Sequence, residues 1–147
     1  MKIQKPIQYL IAYTTWIIFI ALGTLTIFLG RSGVTGLLTL YYVQEKFQRR
    51  MEVQFIDRVI LLVPAFGLLI AFIVVEQYFR HGVQRGTIFR RILRVMGIEI
   101  LGLFGAHLAY VALTSFPPEG ILALVIEFIV GAGMVVVSSR MPDKPKL

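Results

Sequence analysis

Four stretches of the chain are apolar almost without interruption, and each is bounded by charged or turn-forming residues. The first runs from Ile7 to Leu29 behind Lys2 and Lys5, with Tyr9, Tyr13 and Trp16 near its start, where aromatic rings anchor helices at a membrane interface. The second covers about 59–75, the third about 92–115 and the fourth about 121–137. A helix of about 20 apolar residues crosses the ~30 Å hydrocarbon layer of a bilayer, so these lengths predict four membrane-spanning helices. Ala21-Leu22-Gly23 resembles a small-residue cleavage site, but the first run is read as a retained transmembrane helix.

Between the first two spans the pattern changes. Val43, Phe47, Met51 and Phe55 recur every four residues, while Glu45, Lys46, Gln48, Arg49, Arg50 and Glu52 fill the opposite face. That spacing predicts an amphipathic helix over about 40–56 on the membrane surface, with a water-exposed extension of the second span as the competing reading. Asp57 is placed to cap the second helix, and Pro64, which lacks a backbone donor, predicts a bend or a late helix start. The third and fourth spans are joined by the turn Ser115-Phe116-Pro117-Pro118-Glu119-Gly120. The expected fold is therefore an all-α integral membrane protein. Residues 1–147 form one domain, an up-down bundle of four transmembrane helices with one amphipathic surface helix between the first and second spans.

Composition sharpens this picture. Apolar residues make up 57% of the chain and charged residues 16%, with mean hydropathy +0.80, whereas about a quarter of an ordinary soluble chain is charged. The net charge of +7 comes from basic residues that flank the apolar runs and form no continuous stripe, which fits lipid headgroups and argues against nucleic acid. Most of the fifteen Lys and Arg lie in the N-terminus, the 80–94 stretch and the C-terminal tail, so both termini are expected in the cytoplasm of a plasma (inner) membrane. The chain has no Cys and no Asn. Disulfides, thiolate metal sites, Cys nucleophiles and N-glycosylation are thereby excluded. The lack of Asn also removes the Arg and Asn constellation used by the four-helix membrane enzymes that conjugate glutathione or make eicosanoids, which share this chain's size and helix count.

No catalytic signature is present. Gly30, Gly33 and Gly36 lack the Gly-Lys-Ser/Thr ending of a phosphate-binding loop, and His-Glu-x-x-His and Gly-x-Ser-x-Gly patterns are missing, so no enzyme activity and no metal are expected. The informative residues are the ionisable ones inside apolar runs, because a charge there is costly and needs a partner. His107 and Glu127 each lie ten residues from Pro117, so an antiparallel hairpin brings them to one depth and predicts an intramembrane polar pair. The same residues carry an alternative. His107, beside Gly105, Ala106 and Ala109, can ligate a haem or chlorophyll-type tetrapyrrole through its imidazole, and Glu127 can take part in proton or ion movement; no other cofactor is expected.

Glu99 is expected to pair with Arg94 at the headgroup boundary. Arg80, Arg85, Arg90, Arg91 and Arg94 are expected to contact anionic lipids. Gly67 with Ala71, and Gly102, Gly105, Ala106 and Ala109, form smooth faces suited to helix packing. The leading functional expectation is a small accessory subunit that binds other integral membrane proteins through these faces and its surface helix. A tetrapyrrole-binding or ion-handling protein built on His107 and Glu127 is the alternative.

Overall fold

The computed structural model describes residues 5–42, 50–113 and 118–141. They form four α-helices: α1, Lys5–Tyr42; α2, Arg50–Arg85; α3, Ile88–Leu113; and α4, Pro118–Arg140. All four are long and apolar enough to cross a membrane. Where no water can satisfy backbone N–H and C=O groups, a helix satisfies them internally, which favours continuing a helix over breaking it.

That preference explains the differences from the sequence expectation. α1 does not end at Leu29 but continues through Gly30, Gly33 and Gly36 to Tyr42. The predicted surface helix over about 40–56 is not a separate element among the described residues. Its first positions end α1, residues 50–56 form the first turns of α2, and residues 43–49 lie outside the described residues. Asp57 is accordingly inside α2 rather than at its cap, and α2 passes through Pro64 instead of starting late.

Small residues set the packing. Along α1, Gly23 meets Glu99, Gly30 meets Ala106, Gly33 meets Ala109 and Gly36 meets Leu113 of α3, so residue numbers climb together and the two helices run parallel. At Gly33 even a methyl group would lie 3.1 Å from Ala109 Cβ and 3.3 Å from the Tyr110 backbone nitrogen. α2 runs against α1 in the opposite sense: Trp16 Nε1 donates to the Phe72 carbonyl at 3.0 Å, the Phe19 and Phe72 rings meet edge to face, and Leu68 covers Gly23. α4 is likewise antiparallel to α3. The two backbones touch where a Cβ on Gly97 would sit 2.9 Å from the Gly131 carbonyl oxygen.

Among the described residues α4 contacts α3 alone, whereas α3 also contacts α1 and α2. The architecture is a three-helix cluster with α4 attached to the outer side of α3, not a closed ring of four. A cluster of buried side chains, Ala12, Phe79, Val83 and Ile88, sits beside the α2–α3 turn. Gly86 makes that turn with φ 67°, a left-handed conformation that side chains disfavour. The Gly86 and Thr87 N–H groups donate to the Val83 and Gly82 carbonyls, which closes α2 in a Schellman motif. Elsewhere large apolar side chains such as Leu10, Val63, Phe66 and Ile129 point outward. Exposed to water, so much apolar surface would be a liability; facing acyl chains it carries no penalty.

Candidate functional site

Two pairs of ionisable side chains lie at one level of the bundle. Between α3 and α4, His107 Nδ1 is 3.0 Å from Glu127 Oε1 and 3.2 Å from Oε2, and the two side chains are 18% and 19% exposed. They extend the same face that brings Gly97 to Gly131 and Phe104 to Phe128, because steps of three or four residues stay on one side of a helix. An Nδ1–H imidazole donates to the carboxylate and leaves Nε2 available, the arrangement by which a carboxylate orients a ligating histidine. Gly105 does not serve that nitrogen. It is two residues away, about 200° around the helix from His107, and nothing lies within 4 Å of where its Cβ would stand.

The second pair was not foreseen. Arg31 of α1 grips Asp57 of α2 with two hydrogen bonds, Nε to Oδ1 at 2.8 Å and Nη2 to Oδ2 at 2.6 Å, and the Thr35 hydroxyl donates to Oδ1 at 3.1 Å. This is the bidentate geometry in which guanidinium and carboxylate bind most strongly. Since Gly30 faces Ala106 and Gly33 faces Ala109, Arg31 stands level with His107. One cross-section of the bundle therefore carries two acids and two bases, each acid matched to a base on the neighbouring helix.

Glu99 stands apart from Arg94. Its Oε1 lies against Gly23 of α1, close enough that a Cβ there would be 3.2 Å away, and Thr26 is beside the carboxyl group. Five residues of separation place Glu99 and Arg94 about 140° apart on α3, whereas spacings of three or four bring side chains together. The five arginines also divide. Arg80 lies 3.8 Å from Glu76 one turn back on α2 and borders a cleft with Tyr9, Tyr13 and Trp16. Arg85, Arg90, Arg91 and Arg94 instead surround a separate opening of about 270 Å³ at the α2–α3 turn.

Two of those four are held in place. Arg91 donates to the Tyr78 carbonyl at 2.6 Å with its guanidinium 4.3 Å from the centre of the Tyr78 ring, and Arg90 Nε donates to the Ser138 carbonyl at 3.1 Å. Of the residues expected to pack helices, Ala106 and Ala109 abut α1, Ala71 is half-buried, and Gly67, Gly102 and Gly105 face open space. No group of three or more His, Cys, Asp or Glu that could hold a metal is present among the described residues. No protein-family model, no curated protein and no solved structure matches this chain.

Proposed function

We propose that this chain is a small accessory subunit of a larger integral membrane assembly, with a binding rather than a catalytic role. In this reading the helices cross a plasma (inner) membrane up and down with both termini in the cytoplasm, the polar stretch around the α1–α2 connection lies at the opposite headgroups, and the 80–94 arginines contact anionic lipids. One observation carries the proposal. The glycines of α1 and the Gly97–Gly131 pair are filled by neighbouring helices, whereas Gly67, Gly102, Gly105 and Gly133 have nothing within 4 Å of where a Cβ would stand. Small residues lower helix stability slightly and are useful in membranes where another helix comes close. The unfilled set lies on the lipid-facing surface of α2, α3 and α4, and partner helices from other membrane proteins would fill it.

The test separates folding from assembly. Gly102→Leu with Gly105→Leu should not lower the purified chain's unfolding temperature, because a Cβ at either position meets nothing and leucine favours helix over glycine, and should abolish co-purification of partners from native membranes in mild detergent. A functional monomer with no co-purifying protein overturns the proposal.

The His107–Glu127 contact favours a second reading, in which the pair binds a tetrapyrrole through Nε2 or passes protons. A bound pigment would give a visible absorption band that His107→Ala removes. A colourless preparation, together with proton or ion flux unchanged in Glu127→Gln, eliminates it.

A further inference from the structure

The opening at the α2–α3 turn is lined by Tyr78, Arg85, Thr87, Arg90, Arg91 and Arg94. At about 270 Å³ it is near the lower end of small-ligand pockets. No acidic side chain among the described residues lines it, and neither Arg85 nor Arg94 forms an ion pair there. Four guanidinium groups around one opening repel one another, and they cannot relieve the repulsion by losing protons. The wall is nevertheless fixed in this geometry. Gly82 leaves room for Arg91, whose Cδ would be 2.7 Å from a Cβ at that position, and the Tyr78 carbonyl and ring orient its head.

A second feature points the same way. Thr87 is the N-cap of α3: its carbonyl accepts from the Arg91 N–H at 3.2 Å, as the residue before a helix does. A capping threonine ordinarily turns its hydroxyl onto a first-turn N–H. Here the Thr87 hydroxyl oxygen is buried and has no hydrogen-bond partner, an arrangement that ordinarily costs free energy. Thr87 itself lines the opening, so the N-terminus of α3, with its positive dipole end and its unpartnered capping hydroxyl, stands beside the four guanidinium groups.

We infer that this opening binds a single phosphate monoester group, with Arg85 and Arg94 supplying charge-assisted hydrogen bonds, Arg90 and Arg91 forming the fixed wall, and the Thr87 hydroxyl donating to a phosphate oxygen. A monoester carries about −1.5 to −2 charge at neutral pH and three free oxygens, against one charge and two free oxygens for a diester, so it uses more of this donor set. The chemistry is shared by soluble phosphate esters and by a lipid whose headgroup is a bare phosphate. The inference deepens the headgroup contact proposed above for these arginines, replacing diffuse attraction by a discrete, saturable site that excludes Arg80.

Titration of the detergent-purified full chain with inorganic phosphate, and flotation with phosphatidylcholine vesicles doped with either phosphatidic acid or phosphatidylglycerol, tests it. Saturable binding is expected, with phosphatidic acid retained better than phosphatidylglycerol. Arg85→Gln and Arg94→Gln, which break no observed contact, should each weaken binding about tenfold, as loss of a hydrogen bond between charged groups does. Thr87→Val should weaken it severalfold and Thr87→Ser restore it, while Arg80→Gln should leave it unchanged. Binding of inorganic phosphate without vesicle retention identifies a soluble ester, and vesicle retention alone identifies the lipid; either outcome supports the site. Absence of saturable binding to both, or equal loss in Arg80→Gln and Arg94→Gln, overturns it. Diffuse attraction to anionic vesicles can survive that failure, and partner co-purification reports on the subunit proposal independently of both.

Discussion

The two ion-pairing sites at the level of Gly30 and Ala106 solve the same problem with different chemistry. Arg31 and Asp57 join α1 to α2 through two parallel hydrogen bonds, and the guanidinium keeps its charge at any pH a cell reaches. His107 and Glu127 join α3 to α4 through one imidazole nitrogen that sits almost equally far from both carboxylate oxygens. This second pair can be uncharged, with a neutral imidazole and a protonated acid, or charged, with the proton on the ring. The α1–α2 pair is therefore a fixed clamp, whereas the α3–α4 pair is one nitrogen shared between two oxygens.

Breaking the fixed clamp should have the larger effect. Asp57→Leu strands Arg31 beside apolar helices with Thr35 as the remaining neighbour of that carboxylate site, and a cation without a counter-charge drives helices apart or toward water. The folded yield in detergent should fall severely and the unfolding temperature should drop, while the charge exchange Arg31→Asp with Asp57→Arg should recover most of both. Asp57→Leu melting like the parent chain would mean that the guanidinium already draws its solvation from headgroups or water, and the clamp would lose its structural standing.

The contrast also accounts for what the sequence made legible. His107 and Glu127 could be matched by counting because each lies ten residues from Pro117 in the sequence, and in helices that run antiparallel equal spacing from their junction means equal depth. Arg31 and Asp57 offered no such measure. The apolar run ends at Leu29, and Gly30, Gly33 and Gly36 beyond it each disfavour helix by about 1 kcal/mol relative to alanine. With α1 ended at Leu29, Arg31 fell into a polar connection and Asp57 became a cap. The missing signal was the spacing itself: Gly23, Gly30 and Gly33 recur at helical intervals, on the face that Ala106 and Ala109 of α3 complement.

The same limit applies to Glu99. Its nearness to the basic end of α3 in the sequence suggested Arg94, but its face is set by the helix period, and that face is occupied by α1. Four apolar runs fixed the number of helices and most of α3 and α4. How α1 and α2 extend beyond their apolar runs, and that α4 leaves both of them uncontacted, depended on close approaches between residues far apart in the chain.

Disrupting the adaptable pair should cost much less than breaking the clamp. Neither His107 nor Glu127 must remain charged once its partner is gone, so the loss is that of one interhelical hydrogen bond, about 0.6 to 1.7 kcal/mol in a membrane protein. A double-mutant cycle on His107→Leu and Glu127→Leu, read by unfolding in mixed micelles, should return a coupling of that order. Glu127→Gln, whose amide oxygen still accepts from Nδ1–H, should retain most of it. A coupling several times larger would show that the pair is held as an imidazolium and a carboxylate, a second fixed clamp, and the division between structural and chemically adaptable pairs would fail. A coupling near zero with the fold intact would leave contacts such as Gly97–Gly131 and Phe104–Phe128 as what holds α4 to α3, and would place the polar pair there for a purpose other than stability.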